Sequence, residues 1–144
     1  MKSLPYRERV LPHLGTFLLP LLLAVMFFAM FLPINELLAL SVGAIAAAVL
    51  GAVLIAKAPV IFYDGETLRV GRASIRREHL GKVEALDPEE SFAAKGHLLD
   101  ARAYTCFQSS LRTLVRVEIT DPEDPTPYWL FTTRHAKELV SLLA

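Results

Sequence analysis

Cys106 is the chain's one thiol, set beside four histidines and 15 acidic residues. Nucleophile–base pairs, carboxylate clusters and basic patches are therefore the chemistries to weigh first. Cys106 with His97 or His135 would make a nucleophile and its base. No recognisable signature surrounds the cysteine, and a lone thiol in a β-forming stretch behaves as a small buried hydrophobe. With one cysteine there is no internal disulfide, no CxxC redox pair and no cysteine-based zinc site. His79, His97 and His135 follow no i, i+4 ligand spacing. Asp121, Glu123 and Asp124 offer hard oxygens, yet calcium takes about six to eight of them, and the further acids and glycine of an EF-hand are missing. Asp-Pro steps are ordinary turn formers. Glu84 and Asp87 would act as an acid–base pair only if the fold brought them together. A Walker loop, a GxSxG elbow and a dinucleotide fingerprint are absent. The expectation is no enzyme, no cofactor, no metal and no catalytic residue.

Binding chemistry is better represented. Lys57, Arg69, Arg72, Arg76 and Arg77 form a basic group, partly balanced by Asp64, Glu66 and Glu78. Beside an anionic leaflet each such residue is worth ~1 kcal/mol, so the group is a candidate for lipid head groups; the alternative is the solvated face of early strands. A second candidate is the loop carrying Asp121, Asp124, Tyr128 and Trp129, since aromatics after a stiff turn suit a protein partner. The alternative there puts Trp129 in a core and Tyr128 at its rim. A formal net charge of +0 argues against a nucleic-acid partner, whose binder would be strongly basic.

These residues sit in one of two unlike halves, which the mean hydropathy of +0.42 averages together. Only Lys2, Arg7 and Arg9 of the 15 basic residues, and Glu8 and Glu36 of the 15 acidic ones, precede residue 57. Leu14–Leu32 is an uncharged run of 19 residues and Leu37–Ala56 one of 20. At ~1.5 Å per residue each run spans about 30 Å, the hydrocarbon core of a bilayer. Pro33-Ile34-Asn35-Glu36 breaks them. In lipid, backbone groups must be satisfied internally, so the reading is a transmembrane helical hairpin over residues 10–56. A cleaved signal peptide fits less well, because its apolar core would be ~7–15 residues and a small-residue cleavage site would follow. Positive residues flank both outer ends and none lies in the turn, which predicts both termini in the cytoplasm at the plasma membrane. Pro20 is expected to bend the first helix, and no ionisable group sits mid-membrane to mark a transport site. The second helix carries Ala39, Gly43, Ala47 and Gly51 at four-residue spacing, a face that lets helices approach closely. It packs either on the first helix or on a partner helix or second copy.

Residues 1–9 read as a cytoplasmic N-terminal segment and 57–144 as a cytoplasmic β-rich domain. Val60–Tyr63 and Thr67–Val70 are strands joined at Asp64-Gly65, a hairpin-turn signal. Gly71-Arg72 turns into Ala73–Arg76, and Lys82–Leu86 follows. Asp87 opens a short helical stretch to about Gly96. His97–Ser110 is ambiguous, with a strand near Tyr104–Phe107. Arg112–Thr120 alternates with Val115, Val117 and Ile119 on one face. After the three prolines of Asp121–Pro127, Tyr128–Thr133 pairs back with Trp129 and Phe131 on one face. Thr133 is placed to cap a last helix whose stripe is Ala136, Leu139, Val140 and Leu143. Six or seven strands and one amphipathic helix suggest a small barrel or sandwich of pleckstrin-homology-like order.

Three segments together, Tyr6-Arg7-Glu8-Arg9, Leu99–Tyr104 (LDARAY) and Val115–Arg134 with its DPEDPTPYW stretch, resemble a family of small actinobacterial membrane proteins known only as a domain of unknown function. The chain departs from it around Cys106–Leu111, where the family is more aromatic. The order of hairpin and β domain also resembles bacterial pleckstrin-homology-like domains that follow transmembrane helices. The resemblance implies architecture and location, and no activity. The leading expectation is a membrane-anchored binding or scaffold module for a protein partner or lipid head groups. The runner-up is an auxiliary subunit assembling through the second helix.

Overall fold

The computed structural model describes residues 5–108 and 111–144. Lys2, and the end of the 97–110 segment at Ser109 and Ser110, lie outside the described residues. The chain divides into two compact units. One is Leu11–Ala58; the other runs up to Val10, resumes at Pro59 and ends at Ala144.

The first unit is a helical hairpin. Leu14–Phe17 forms a 3-10 turn opened by His13, whose Nδ1 accepts from the Gly15 amide at 3.0 Å. It continues as α1 (Leu18–Phe31). Pro20 falls in the first turn of α1, where a missing N–H removes no hydrogen bond within the helix. Asn35 then caps α2 (Glu36–Ala56), its Oδ1 accepting from the Leu38 amide at 3.1 Å. Both apolar stretches, Leu14–Phe31 and Glu36–Ala56, are long and apolar enough to cross a membrane, and little of either is fully buried. Ala39 and Gly43 are buried against α1, and a Cβ on Gly43 would stand 2.8 Å from the Ala24 carbonyl oxygen. A Cβ on Gly51 would meet nothing within 4 Å. The small-residue face thus serves the hairpin itself at Ala39 and Gly43, while Ala47 and Gly51 lie only half-buried beyond it. Gly43→Leu is expected to force the helices apart and lower the melting temperature of the full chain in detergent, whereas Gly51→Leu is expected to leave it unchanged.

The second unit holds two four-stranded sheets. The first runs β1-β2-β3-β4, all antiparallel, from β1 (Tyr6–Arg9), β2 (Val60–Tyr63), β3 (Thr67–Val70) and β4 (Ala73–Arg76). The β2–β3 connection forms at Asp64-Gly65 as expected: Asp64 Oδ1 accepts the amides of Glu66 and Thr67 at 2.9 and 2.8 Å, and Gly65 takes a positive φ of 97°. Tyr6–Arg9, within the segment set apart as N-terminal, is therefore an edge strand of this sheet. Val10 extends the pairing by donating to the Pro59 carbonyl at 2.9 Å. The whole helical hairpin is an insertion between two neighbouring strands.

The second sheet runs β5-β7-β8-β6, from β5 (Leu80–Leu86), β6 (Tyr104–Cys106), β7 (Leu114–Ile119) and β8 (Tyr128–Thr132). β6 is parallel to β8 and the other pairs are antiparallel. The register slips between Leu80 and Val83, where Gly81 lets the chain pass close to Thr120 and Glu118. Asp87 and Glu90 exchange amide bonds of 2.8 and 3.1 Å in a capping box that starts α3 (Pro88–Lys95).

Val115, Val117, Trp129 and Phe131 from the second sheet meet Ile61, Leu68, Val70 and Ile75 from the first, and Leu139 and Leu143 of α4 (Ala136–Leu143) complete this core. The opposite face of β8 is covered too. Tyr128, Leu130 and Leu114 pack against Leu86, Ala94, Leu99 and Ala103, so all five β8 residues are buried. Thr133 is not the residue that caps α4: His135 holds the cap position and the Thr133 hydroxyl is turned to Glu8.

Candidate functional site

Because strand side chains alternate, the register assigns each residue of the first sheet to a face. Glu8, Ile61, Val70 and Ala73 form one inward row; Tyr6, Tyr63, Leu68 and Ile75 form another. Outward lie the row Arg7, Phe62, Arg69 and Ser74, the pair Arg9 and Val60, and the pair Thr67 and Arg76. That outer face carries four arginines and no carboxylate. Strands lie ~4.8 Å apart, so Arg7 and Arg69 stand about 10 Å apart across the half-buried Phe62 ring.

The arginines differ in what holds them. Arg76 pairs with Glu78 at 3.5 Å, and Arg77, in the 3-10 turn after β4, donates to the Ala144 carbonyl at 3.3 Å. Arg7, Arg9, Arg69 and Arg72 make no ion pair within 4.0 Å among the described residues. The Arg69 charge helps hold the exposed Asp64 carboxyl below its usual range, behind the larger effect of the Thr67 and Glu66 amides. Arg72 sits in the Gly71-Arg72 turn, where Gly71 has a φ of +59°. Lys57 belongs to the other unit, at the C-terminal end of α2. Of the basic group read from the sequence, Arg69 and Arg76 thus share a face and Arg72 and Arg77 flank it. Arg7 and Arg9 join that face although they read only as charges preceding the first helix. The signal for them was the four-residue alternation of YRER, in which the inward residues are Tyr6 and the acidic Glu8.

The inward side of the same strand is tightly bonded. Glu8 is 8% exposed. Its carboxylate accepts from the Thr133 hydroxyl at 2.5 Å, the Tyr6 hydroxyl at 2.7 Å and the Arg134 amide at 2.9 Å. Burial, then the hydrogen bond to Glu8, pushes the Tyr6 hydroxyl's pKa upward, so it remains a donor. His135 Nδ1 is 4.0 Å from Glu8, too far for a hydrogen bond.

The loop candidate comes apart. Trp129 is 3% and Tyr128 8% exposed, so neither presents an aromatic surface to a partner. Trp129 lies in the main core beside Tyr104, ring centroids 5.3 Å apart. Tyr128 belongs to the smaller core and is no rim residue. Its hydroxyl accepts from the Asp100 amide at 2.9 Å, and the Arg116 guanidinium lies 4.2 Å from its ring centroid. Asp121 Oδ1 and Asp124 Oδ1 each accept an amide from within the loop, of Glu123 and Thr126 respectively, both at 2.9 Å. Those bonds give the carboxylates a turn-forming role. Asp124's bonds with Thr126 also hold its carboxyl below the usual range.

The remaining chemistry is spoken for locally. Asp87 caps α3 and Glu84 pairs with Lys82. Cys106 lies opposite Phe131 in β6, and burial pushes its thiol pKa up, away from nucleophilic thiolate. Among the described residues no group of three or more His, Cys, Asp or Glu converges as for a metal ion.

A family model described as a protein of unknown function (DUF3093) matches residues 5–143. No curated protein and no solved structure matches.

Proposed function

The chain belongs to that family, and we propose that it is a non-enzymatic, membrane-anchored binding module. Its hairpin spans the plasma membrane, and its pleckstrin-homology-like domain stands in the cytoplasm with both termini. The observation that carries this reading is the insertion of two membrane-length apolar helices between adjacent strands β1 and β2. Such a connection gives the domain two tethers leaving one end of one sheet. The placement of Arg7, Arg9 and Lys57 at the outer ends, against a turn without positive charge, supports cytoplasmic termini. A four-stranded antiparallel sheet, a second sheet and a C-terminal helix support the pleckstrin-homology-like reading, with the parallel strand β6 as a departure from a simple meander.

The test is extraction and labelling of the full chain in a Cys106→Ser background. The protein is expected to stay in membranes through alkaline carbonate. An Ile34→Cys thiol in the turn should react with an impermeant maleimide on intact cells, and an Ala144→Cys thiol only after permeabilisation. Release by carbonate, or the opposite labelling, would overturn the reading. A second reading, an auxiliary subunit of a larger membrane complex, draws on Ala47 and Gly51, the half-buried end of the small-residue face. It predicts that Gly51→Leu removes a co-purifying membrane protein.

A further inference from the structure

We propose that the outer face of the first sheet, centred on Arg7, Arg9 and Arg69 with Arg72 at its edge, binds anionic phospholipid head groups of the bilayer that holds the hairpin. The proposal rests on the membrane-anchored reading and names the ligand of that module. The face has four arginines and no carboxylate, and Arg7, Arg9, Arg69 and Arg72 have no ion-pair partner within 4.0 Å among the described residues.

The tethers are also short. Arg9 precedes the first apolar residue of the span, Leu14, by five positions, and Val60 follows Ala56 by four. A fully extended chain covers at most ~3.5 Å per residue, so Arg9 is held within about 18 Å of one span and Val60 within about 14 Å of the other. The head-group layer and a Debye length of ~8 Å together cover most of that range. Arg9, Val60 and the Gly71-Arg72 turn occupy the same end of the sheet, since Gly71 donates to the Val60 carbonyl at 3.0 Å. Arg9 and Arg72 therefore bring charge that an anionic leaflet attracts to the end of the sheet from which both tethers leave. Phe62, between Arg7 and Arg69, adds half-buried apolar surface to the same face.

The experiment uses the full chain reconstituted in bilayers of phosphatidylcholine and phosphatidylglycerol at about 7:3, a strongly anionic mixture. The protein is then taken into mild detergent and its retained lipids are counted by native mass spectrometry. The variant Arg7→Gln/Arg69→Gln/Arg72→Gln is compared with Arg102→Gln/Arg112→Gln/Lys137→Gln, which loses equal charge elsewhere. The first should retain about fivefold less phosphatidylglycerol, the weight of a single juxtamembrane arginine or more, with an unchanged melting temperature. The second should match the parent chain. Equal retention by the two variants would overturn the proposal. So would parental lipid retention by the first with loss of a co-purifying acidic protein, which would assign the face to that protein. Failure of the anchoring reading looks different, because carbonate would then release the parent and both variants alike.

Discussion

Glu8→Ala is expected to destabilise the β unit by about 3 kcal/mol, the cost of leaving donors around a buried carboxylate without their acceptor. Three donors converge on this side chain: the Thr133 hydroxyl, the Tyr6 hydroxyl and the Arg134 amide. Thr133 and Arg134 lie at the corner between β8 and α4, so Glu8 ties the edge strand nearest the hairpin to the far end of the chain. In a unit of this size, 1 kcal/mol moves the melting temperature by about 4–8 °C, and a drop of about 12–24 °C follows. Glu8→Gln keeps the shape and one carbonyl oxygen, and both hydroxyls can rotate to accept from its amide. Its cost should be nearer 1 kcal/mol. Thermal melts of the full chain in one detergent, read by the near-ultraviolet signal of buried Trp129, separate the two. Equal melting of parent and Glu8→Ala would show that the network contributes nothing net.

The same residue explains why β1 was the strand that the sequence concealed. β2, β3 and β4 announce themselves through adjacent turns, Asp64-Gly65 and Gly71-Arg72, whose partners are a few residues away. β1 pairs with β2 across the entire hairpin, and the acidic Glu8 stands between the inward Tyr6 and Val10, so the apolar alternation is broken at its centre. With β1 unread, Arg7 and Arg9 could not be placed beside Arg69. Strand β8 shows a different limit. That Trp129 and Phe131 share a face followed from alternation, but burial of Tyr128 depends on α3 and the segment through Ala103 folding over the opposite face. Period-two patterning identifies one buried face; it does not say what covers the other. The two long apolar helices and the turn between them were legible because uncharged runs of 19 and 20 residues are set apart by Pro33-Ile34-Asn35-Glu36.

Recognition of β1 also decides which fragment of this protein will fold. The main core draws every member from residues 6–10 or 61–143, so the helical insertion supplies none of it. Val10 and Pro59 are already hydrogen-bonded neighbours at 2.9 Å, and strands so placed are joined by loops of about 2–5 residues. Replacing Leu11–Ala58 by a short Asn-Gly turn is therefore expected to give a soluble domain with one cooperative melt. Residues 58–144 alone should behave otherwise. They lack the fully buried Val10 and the acceptor for Thr133 and Arg134, and they leave β2 as an unpaired edge beside Ile61 and Tyr63. Burial of Val10 is worth ~1.5 kcal/mol by itself, and the Glu8 contacts add to it, so the fragment should lose well over the ~3 kcal/mol of Glu8→Ala. An exposed edge strand is also a template for aggregation. Sedimentation velocity and thermal melts of the two chains make the comparison. A monomeric 58–144 fragment as stable as the joined domain would mean that β1 is dispensable.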